Sequence, residues 1–359
     1  MNTFVKMGTL TRIRTGKLDA NASSENGQYP FFTCSQEALR IASYSYDCEC
    51  VLVAGNGDLN VKYYDGKFDA YQRTYIIESL DKSKLLVKYL YFFLDIYVEV
   101  LRTQSIGGVI KYIKLGNLTD ALIPLPSIEK QEEIVSRLEK CNVLIEKRRY
   151  QLALLDQVVK SRFIELFGDP KYNKRNLVKI GEIGALTSGG TPSRAKPEYF
   201  EGDIRWYSAG ELNSLYLPDS VEHISEMALQ QSSAKLFDKG TLMIGMYDTA
   251  AFKMGILTED SSSNQACANL NPQQGYNIVW LYYLFDIMKP IFLQERQGVR
   301  QKNLSLSKIK EFEVPFAPFE LQEQFAAFVE QTDKSKLEVQ KSLEKLELLK
   351  KALMQKYFG

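Results

Sequence analysis

Residues 128–168, IEKQEEIVSRLEKCNVLIEKRRYQLALLDQVVKSRFIELFG, and residues 319–359, FELQEQFAAFVEQTDKSKLEVQKSLEKLELLKKALMQKYFG, carry one helical pattern twice. A shift of 191 residues places Gln131 on Gln322 and brings both copies to the same Phe-Gly ending without a gap. One offset kept over about forty residues indicates an internal repeat. The sequence therefore predicts that one structural unit occurs twice in this chain.

Both segments show apolar spacings that alternate between four and three, which is the heptad pattern of a coiled-coil seam. The predicted seam residues are Ile134, Leu138, Ile145, Leu152, Leu155 and Val159 in the first segment and Phe325, Val329, Val339, Leu343, Leu346 and Leu353 in the second. Prolines precede both segments, and Ser127 is placed to cap the first helix. We expect the two helices to pair in antiparallel fashion. The alternative is that each helix packs only on its own globular region.

The rest of the chain consists of two strand-rich regions that alternate with these helices. In chain order the predicted segments are a strand-rich region at 1–125, a long helix at 126–169, a second strand-rich region at 170–318 and a second long helix at 319–359. A weaker repeat with an offset of 173 relates residues 4–17 to residues 177–190. The expected fold class is α+β, with an antiparallel coiled coil and a pseudo-twofold internal repeat.

Short apolar runs that end at turn residues predict the strands of these regions. They occur at 50–58, 73–79 and 240–248, and tight turns are predicted at Asn56-Gly57 and at residues 64–66. Each region ends in an aromatic segment, LLVKYLYFFLDIYVEVL or IVWLYYLFDIMKPIF. We expect each aromatic segment to form a helix that fills the core of its own sheet.

Charge and composition limit the class of protein. The chain has 45 Lys and Arg against 44 Asp and Glu, so indiscriminate binding to nucleic acid or to a membrane is not expected. The N-terminus has no signal-peptide pattern, and the apolar stretch from Leu85 to Val100 is too short and too charged to span a bilayer. We expect a cytoplasmic protein with no membrane partner. Its five cysteines suit reduced packing residues.

Several kinds of catalytic site find no support in the sequence. His223 is the single histidine, so a Ser/His/Asp triad and a multi-histidine metal site are both poorly supported. No GxGxxG or GxxxxGK[ST] motif cradles a nucleotide, and NPQQGY at 271–276 lacks the aromatic ring that stacks on a flipped base in amino-methyltransferases. We predict no catalytic residue, no metal site and no cofactor in this chain.

Polar segments in both strand-rich regions are typical of surfaces that recognise DNA, because arginine, amide and hydroxyl groups bind phosphates and base edges. The candidates in the first region are Arg12, Arg14, Lys17, Gln28, Asn56, Gln72 and Arg73. Those in the second are Ser188, Gly189, Gly190, Thr191, Ser193, Arg194, Arg205, Trp206, Tyr247, Asn264 and Gln265. The alternative for each is an ordinary solvated loop.

Taken together, these motifs resemble the DNA-specificity subunit of type I restriction-modification systems. The resemblance rests on GGTPSR with PEYFEGDIRW at 197–206, SSAKLFDKGTLMIG at 232–245, GKLDANASSENGQYPFFT at 16–33 and VRQKNLSLSKIKEFEVPFAPFELQEQ at 299–324. It extends over almost the whole chain. The first region departs from the pattern, since it carries Thr15-Gly16-Lys17 in place of GGTP.

The resemblance implies a subunit without catalysis of its own that reads a bipartite, asymmetric DNA target, one strand-rich domain per half-site. It implies double-stranded DNA and two methyltransferase subunits as partners, which two helicase-nuclease restriction subunits can join. S-adenosylmethionine, ATP and magnesium would belong to those partners. The helix pair would set the spacing between half-sites and provide a docking platform. The rival interpretations are a coiled-coil adaptor that binds proteins and a DNA-modifying enzyme.

Overall fold

The structure, a computed structural model, describes residues 3–296 and 303–359. The helices are α1 Val87–Gln104, α2 Leu115–Thr119, α3 Ile128–Phe167, α4 Ile180–Ile183, α5 Glu226–Gln231, α6 Ile278–Phe292, α7 Leu306–Glu311 and α8 Phe319–Phe358. The strands are β1 Thr3–Lys6, β2 Thr11–Thr15, β3 Tyr29–Phe32, β4 Leu39–Ile41, β5 Tyr46–Ala54, β6 Val61–Ala70, β7 Thr74–Ser79, β8 Leu122–Leu125, β9 Leu177–Lys179, β10 Gly184–Ser188, β11 Ile204–Tyr207, β12 Glu222–Ile224, β13 Leu242–Gly245, β14 Met254–Ile256, β15 Ser262–Ser263, β16 Cys267–Pro272 and β17 Glu313–Pro315. The content of strands and helices is mixed, as the sequence predicts.

The chain divides into two compact units. Unit 1 consists of Met1–Tyr150 and Gln340–Gly359, and unit 2 consists of Gln151–Val339. The sequence suggests segments that begin and end with the helices, whereas the unit boundary runs through both α3 and α8. Each unit therefore contains one strand-rich region and a part of each long helix.

Unit 1 is built around a six-stranded sheet with the order β2-β7-β5-β6-β3-β4. The aromatic helix α1 packs on one face of this sheet, where Tyr89, Phe92 and Phe93 are buried with Val51 and Ile77. The predicted strands at 50–58 and 73–79 are confirmed as β5 and β7. The turn predicted at residues 64–66 is wrong, because these residues continue β6 and pair with β5. Gly66, with a φ of 131°, lets the strand pass through a conformation that other residues avoid.

Unit 2 divides its strands between two smaller sheets. One has the order β10-β16-β13-β14, and the other has the order β12-β11-β15. The predicted strand at 240–248 is confirmed as β13, and the aromatic helix α6 buries Trp280, Leu284 and Phe285 in a core that it shares with the four-stranded sheet. The two units thus have different sheets, which agrees with the divergence of the two strand-rich regions in sequence.

The elements around these sheets, which we name the frame, are nevertheless the same in both units. The frame consists of a two-stranded ribbon, the aromatic helix, a short helix and the long helices. In each unit a two-stranded ribbon joins the start of the strand-rich region to its end: β1 pairs with β8, and β9 pairs with β17. The pair Val5–Ile123 in one ribbon corresponds to Val178–Val314 in the other. Helices α1, α2 and α3 begin 191 residues before α6, α7 and α8, respectively. The internal repeat therefore describes the frame, while the sheets are variable insertions in it.

A buried glutamine ties each long helix to the aromatic helix of the same unit. Gln131 accepts a hydrogen bond from Leu86 N at 3.0 Å, and its Nε2 donates to Lys84 O at 2.8 Å and to Pro126 O at 3.0 Å. Gln322 makes the same three bonds at positions 191 residues later, to Asn277 N, Gly275 O and Ala317 O. The side chain thereby satisfies backbone groups at the start of α1 or α6, which a helix cannot satisfy itself.

Within each unit the parts of α3 and α8 run antiparallel. In unit 1, Arg149 of α3 pairs with Glu347 of α8 at 2.8 Å, and Met354 near the end of α8 shares a core with Ile134 and Leu138. In unit 2, Lys336 of α8 pairs with Asp156 of α3 at 2.7 Å. The predicted seam positions are buried or half-buried along both helices. Ser127 Oγ accepts from Lys130 N at 3.4 Å at the start of α3, so the predicted cap is present.

Candidate nucleic-acid interface

Four of the seven candidates in unit 1 lie together at one end of the six-stranded sheet. Hydrogen bonds from Gly16 N to Thr74 O, from Gln72 N to Leu18 O and from Gly55 N to Arg73 O join the loops that carry them. The four residues, which we name the unit 1 polar cluster, are Lys17, Asn56, Gln72 and Arg73. Lys17, Gln72 and Arg73 are exposed and Asn56 is half-buried, so this cluster presents two cations, while the Gln72 amide donates to Asp19 Oδ1 at 2.8 Å.

The other three candidates of unit 1 lie outside the loops of this cluster. Arg14 on β2 pairs with Glu78 at 2.8 Å and lies 4.7 Å above the centre of the Tyr46 ring, which holds its side chain against the sheet. Arg12 is exposed on the same strand, and Gln28 is exposed just before β3. Of these three, Arg14 is the one with its guanidinium already engaged by a carboxylate and a ring.

In unit 2 the glycines of TSGGTPSR are buried, and they pack against backbone. A Cβ atom on Gly189 would lie 2.2 Å from Ser263 O, and one on Gly190 would lie 2.0 Å from Ser233 O. The buried Trp206 donates its indole N–H to Gly190 O at 3.0 Å. These three candidates therefore hold the loop on the sheet, and a duplex cannot reach them directly.

The two candidate arginines of unit 2 are paired within the protein. Arg194 makes two hydrogen bonds to the Glu222 carboxylate and lies 4.3 Å from the centre of the Phe200 ring. The hydrogen bond from Arg194 lowers the pKa of Glu222. Arg205 lies between Asp219 at 2.9 Å and Glu259 at 2.8 Å. A guanidinium that already binds a carboxylate must break that pairing before it can bind guanine or phosphate.

The remaining candidates of unit 2 gather where β10 and β13 end and β16 begins. Thr191 Oγ1 is hydrogen-bonded to Gln265 Oε1, and Met246 N donates to Ala266 O at 2.9 Å, which places Tyr247 at the same end of the sheet. Asn264 Oδ1 accepts from Ala266 N at 3.0 Å and so shapes its own turn. Gln265 and Tyr247 are exposed, as is Ser193 in the loop that follows Thr191, while Ser188 at the end of β10 is half-buried.

A groove on the four-stranded sheet escaped the sequence analysis. Its volume is about 390 Å³, and its polar lining comes from Thr187, Lys235, Asp238, Thr241, Asn269 and Asn271. We name it the amide groove. Asn269 and Asn271 alternate with Ala268 and Leu270 on β16, and this alternation is the signal in the sequence that indicates a polar sheet face. The residues that complete the groove come from a distant loop, which periodicity does not reveal.

The described ranges, 3–296 and 303–359, contain neither a metal-ligand cluster nor a membrane-spanning helix. No group of three or more His, Cys, Asp or Glu side chains there could hold a metal ion. No helix in those ranges is long and apolar enough to cross a membrane. The first four residues of the motif at 299–324 lie outside the described residues.

The sequence matches one family in two places. A profile of the family described as Type I restriction modification DNA specificity domain matches residues 2–153 and 173–348. The Type I restriction enzyme EcoDI specificity subunit of Escherichia coli is 39% identical over 156 residues, which are 44% of this chain and 34% of that protein. The EcoR124I/EcoR124II specificity subunit of Escherichia coli is 23% identical over 274 residues, which are 72% of this chain and 66% of that protein. These relatives are named as specificity subunits.

A solved structure has the same fold. The S subunit of the type I restriction-modification system from M. genitalium superposes with a TM-score of 0.63 at 18% sequence identity, covering 99% of this chain and 96% of that one. At this identity the likeness concerns the fold. It includes both strand-rich regions and both long helices, since nearly the whole of each chain is covered.

Proposed function

Because the chain belongs to the family of type I restriction-modification DNA specificity subunits, we propose that it reads a bipartite, asymmetric DNA sequence, with one strand-rich region per half-site. The observation that carries this proposal is the double match, at 2–153 and 173–348. Inside the repeated frame, the first match contains a six-stranded sheet, whereas the second contains a four-stranded and a three-stranded sheet. Different sheets in one frame suit the reading of two different half-sites.

The helix pair is the element that we propose as spacer and docking platform. Both α3 and α8 have 40 residues, which corresponds to a length of about 60 Å at 1.5 Å per residue. Each takes part in both units, so a change in helix length changes the path between the two strand-rich regions. Two methyltransferase subunits would dock on this frame, and two restriction subunits could join them.

Charge supports a dependence on these partners. Residues 1–125 carry 14 basic and 13 acidic side chains, and residues 170–318 carry 16 of each. Phosphate neutralisation by basic side chains supplies much of the affinity of proteins for DNA. We therefore expect weak binding by the chain alone and strong binding once partner subunits enclose the duplex. S-adenosylmethionine, ATP and magnesium would act in those subunits, in the cytoplasm.

The test is a binding and methylation assay with and without the methyltransferase subunit. The chain alone should show weak, salt-sensitive DNA binding with no sequence preference. With the methyltransferase, methylation should map to one two-part sequence. A coiled-coil adaptor would bind the methyltransferase and leave DNA without any sequence preference, and this result would overturn the proposal. So would tight, specific binding by the chain alone at physiological salt, because it would contradict the argument from charge.

A further inference from the structure

The amide groove of unit 2 has the chemistry of a base-reading site. Its walls are strands β10 and β16 on one side and residues 235–241 on the other. Leu186 and Leu270 point into the core, so Thr187, Asn269 and Asn271 line the opposite face of the sheet. A duplex can reach this face, since Thr187 and Asn271 are exposed.

The side chains in the groove offer donors and acceptors side by side. Asn271 Nδ2 donates to Asp238 Oδ2 at 3.3 Å, which places an amide next to a carboxylate. Lys235 Nζ lies 3.0 Å from Ser188 O and adds a cation at the rim. An amide makes paired hydrogen bonds with the adenine edge, and a carboxylate accepts from the amino group of cytosine. The arginines of unit 2 are held by close carboxylate partners. Asn271 and Asp238 instead share a long hydrogen bond, which hydrogen bonds to DNA can easily replace.

One buried hydroxyl in the groove lacks a partner. Thr241 is 1% exposed, and its Oγ1 has no hydrogen bond within the described residues. Buried hydroxyl groups are nearly always hydrogen-bonded, and an unsatisfied one is unfavourable. A change of χ1 rotamer moves the hydroxyl to another staggered position, and so can turn it toward the groove. A polar ligand that enters the groove could then satisfy it.

We propose that the amide groove binds a base edge of the half-site read by unit 2, with Asn271 and Asp238 in contact with the base and Lys235 in contact with the adjacent phosphate. Asn269 forms the floor, where its Nδ2 donates to Ser263 Oγ at 3.0 Å. The Thr241 hydroxyl gains its partner when DNA is bound. This inference rests on the proposed function and assigns the reading of bases to residues outside the TPSR loop.

The experiment compares single variants of the full chain, each assembled with the methyltransferase subunit. Methylation is mapped position by position on a randomised DNA library, and unfolding is measured for each variant. Asn271→Ala and Asp238→Ala should relax the preference at one or two positions of one half-site by about tenfold or more and leave the other half-site unchanged. Gln274→Ala is the matched control, because it removes an exposed amide three residues away that does not line the groove.

Two further variants separate the roles of the remaining side chains. Lys235→Ala should weaken binding to all sequences alike and reduce the salt dependence, as loss of a phosphate contact does. Thr241→Val should weaken specific binding without lowering the unfolding midpoint, because it removes a hydroxyl that is unsatisfied in the free protein. A purely structural Thr241 would change stability and leave the methylation map as it is.

The failure of this inference differs from the failure of the proposed function. If the wild-type complex methylates no defined sequence, both are overturned. If the wild type is specific and all four variants keep its map and affinity, the groove reads no base. If the variants assemble more weakly with the methyltransferase and keep the wild-type methylation map, the groove contacts protein and not DNA. A last measurement tests free nucleotides. If AMP or CMP binds tightly, and Asn271→Ala abolishes this binding but leaves the methylation map unchanged, the groove is a nucleotide site and does not read DNA.

Discussion

At the scale of single residues, the TSGGTPSR segment acts through its backbone. Gly189 and Gly190 are buried under backbone oxygens of the neighbouring loops, and Trp206 is hydrogen-bonded to Gly190 O. Glycine is needed there because a side chain has no room. The motif is therefore a structural element that fixes the loop after β10, the strand that carries Thr187 on the wall of the amide groove.

Because Gly190 packs against backbone, a single added methyl group should have a large effect. Gly190→Ala should lower the free energy of unfolding by about 2–3 kcal/mol, because its Cβ would lie 2.0 Å from Ser233 O. Gly210→Ala is the matched control, since the nearest atom to its Cβ is 3.8 Å away. Urea unfolding followed by circular dichroism measures both. Equal stability of the two variants would show that the loop adapts and that the glycines are not packing residues.

Arg194 gives a second prediction at this scale. A double-mutant cycle of Arg194→Ala and Glu222→Ala should give a coupling energy of about 0.5–1.5 kcal/mol, in the range for partly exposed pairs with two hydrogen bonds. The pKa of Glu222 is lowered by Arg194, so this stabilisation is present above the unfolded-state pKa of about 4.3 and is lost as the pH falls through the lower folded-state pKa.

Urea unfolding at pH 7 and at about pH 3 measures this coupling. It should shrink at the lower pH. Arg194→Lys serves as control, because it keeps the charge and loses the second hydrogen bond. The coupling energy could instead be near zero at pH 7 while Arg194→Ala changes the methylation map. Arg194 would then be a DNA contact, as the sequence predicts.

At the scale of elements, the buried glutamines explain why the repeat is so regular at the start of each long helix. Gln131 and Gln322 are both fully buried and satisfy equivalent backbone groups in the two units. The side chain needs both a donor and an acceptor at one place, so few other residues can replace it. Each glutamine thereby fixes its own long helix against the aromatic helix of the same unit.

Replacing a buried glutamine by methionine removes its hydrogen bonds at nearly constant shape. Gln131→Met should lower the free energy of unfolding by about 2–3 kcal/mol, because it leaves Leu86 N and two carbonyl oxygens without their partner. Glu132→Met, at the exposed neighbouring position, should change it by no more than about 0.5 kcal/mol. Gln322→Met should repeat the effect in unit 2. If only one of the two methionine variants has a lower free energy of unfolding, the two glutamines are not structurally equivalent.

At the scale of the whole molecule, the spacer proposal predicts a change in the target. Seven residues inserted after Leu155 in α3 and seven after Lys336 in α8 keep the heptad register on both helices. Each helix then becomes about 10.5 Å longer, which corresponds to about three base pairs. The methylation map should show the same two half-sites with a longer spacer.

An insertion in α3 alone is the control for this experiment. It should disrupt the helix pairing, because the Arg149–Glu347 and Asp156–Lys336 pairs can no longer both form, and it should reduce assembly with the methyltransferase. An unchanged spacer in the doubly extended chain, with the complex assembled, would refute the role of the helices as a ruler.

The amino-acid sequence alone predicts the family, the two long helices, the internal repeat and the main strands of both regions. Heptad spacing, proline positions and apolar runs are local patterns, and a helix or strand follows from neighbours within a few residues. The core role of the two aromatic helices could be predicted for the same reason, since each is apolar enough to require burial wherever the chain places it.

Which polar residues are available to a ligand depends on contacts between segments that are distant in the sequence. The sequence suggested Arg194, Arg205 and Gly190, but their partners Glu222, Glu259 and Ser233 lie far along the chain and occupy them. It passed over Asn271 and Thr241, whose groove forms only when β16 meets residues 235–241. The reason is physical: a charged or amide group binds what the fold brings within about 3 Å of it, and that neighbour is set by the packing of distant segments.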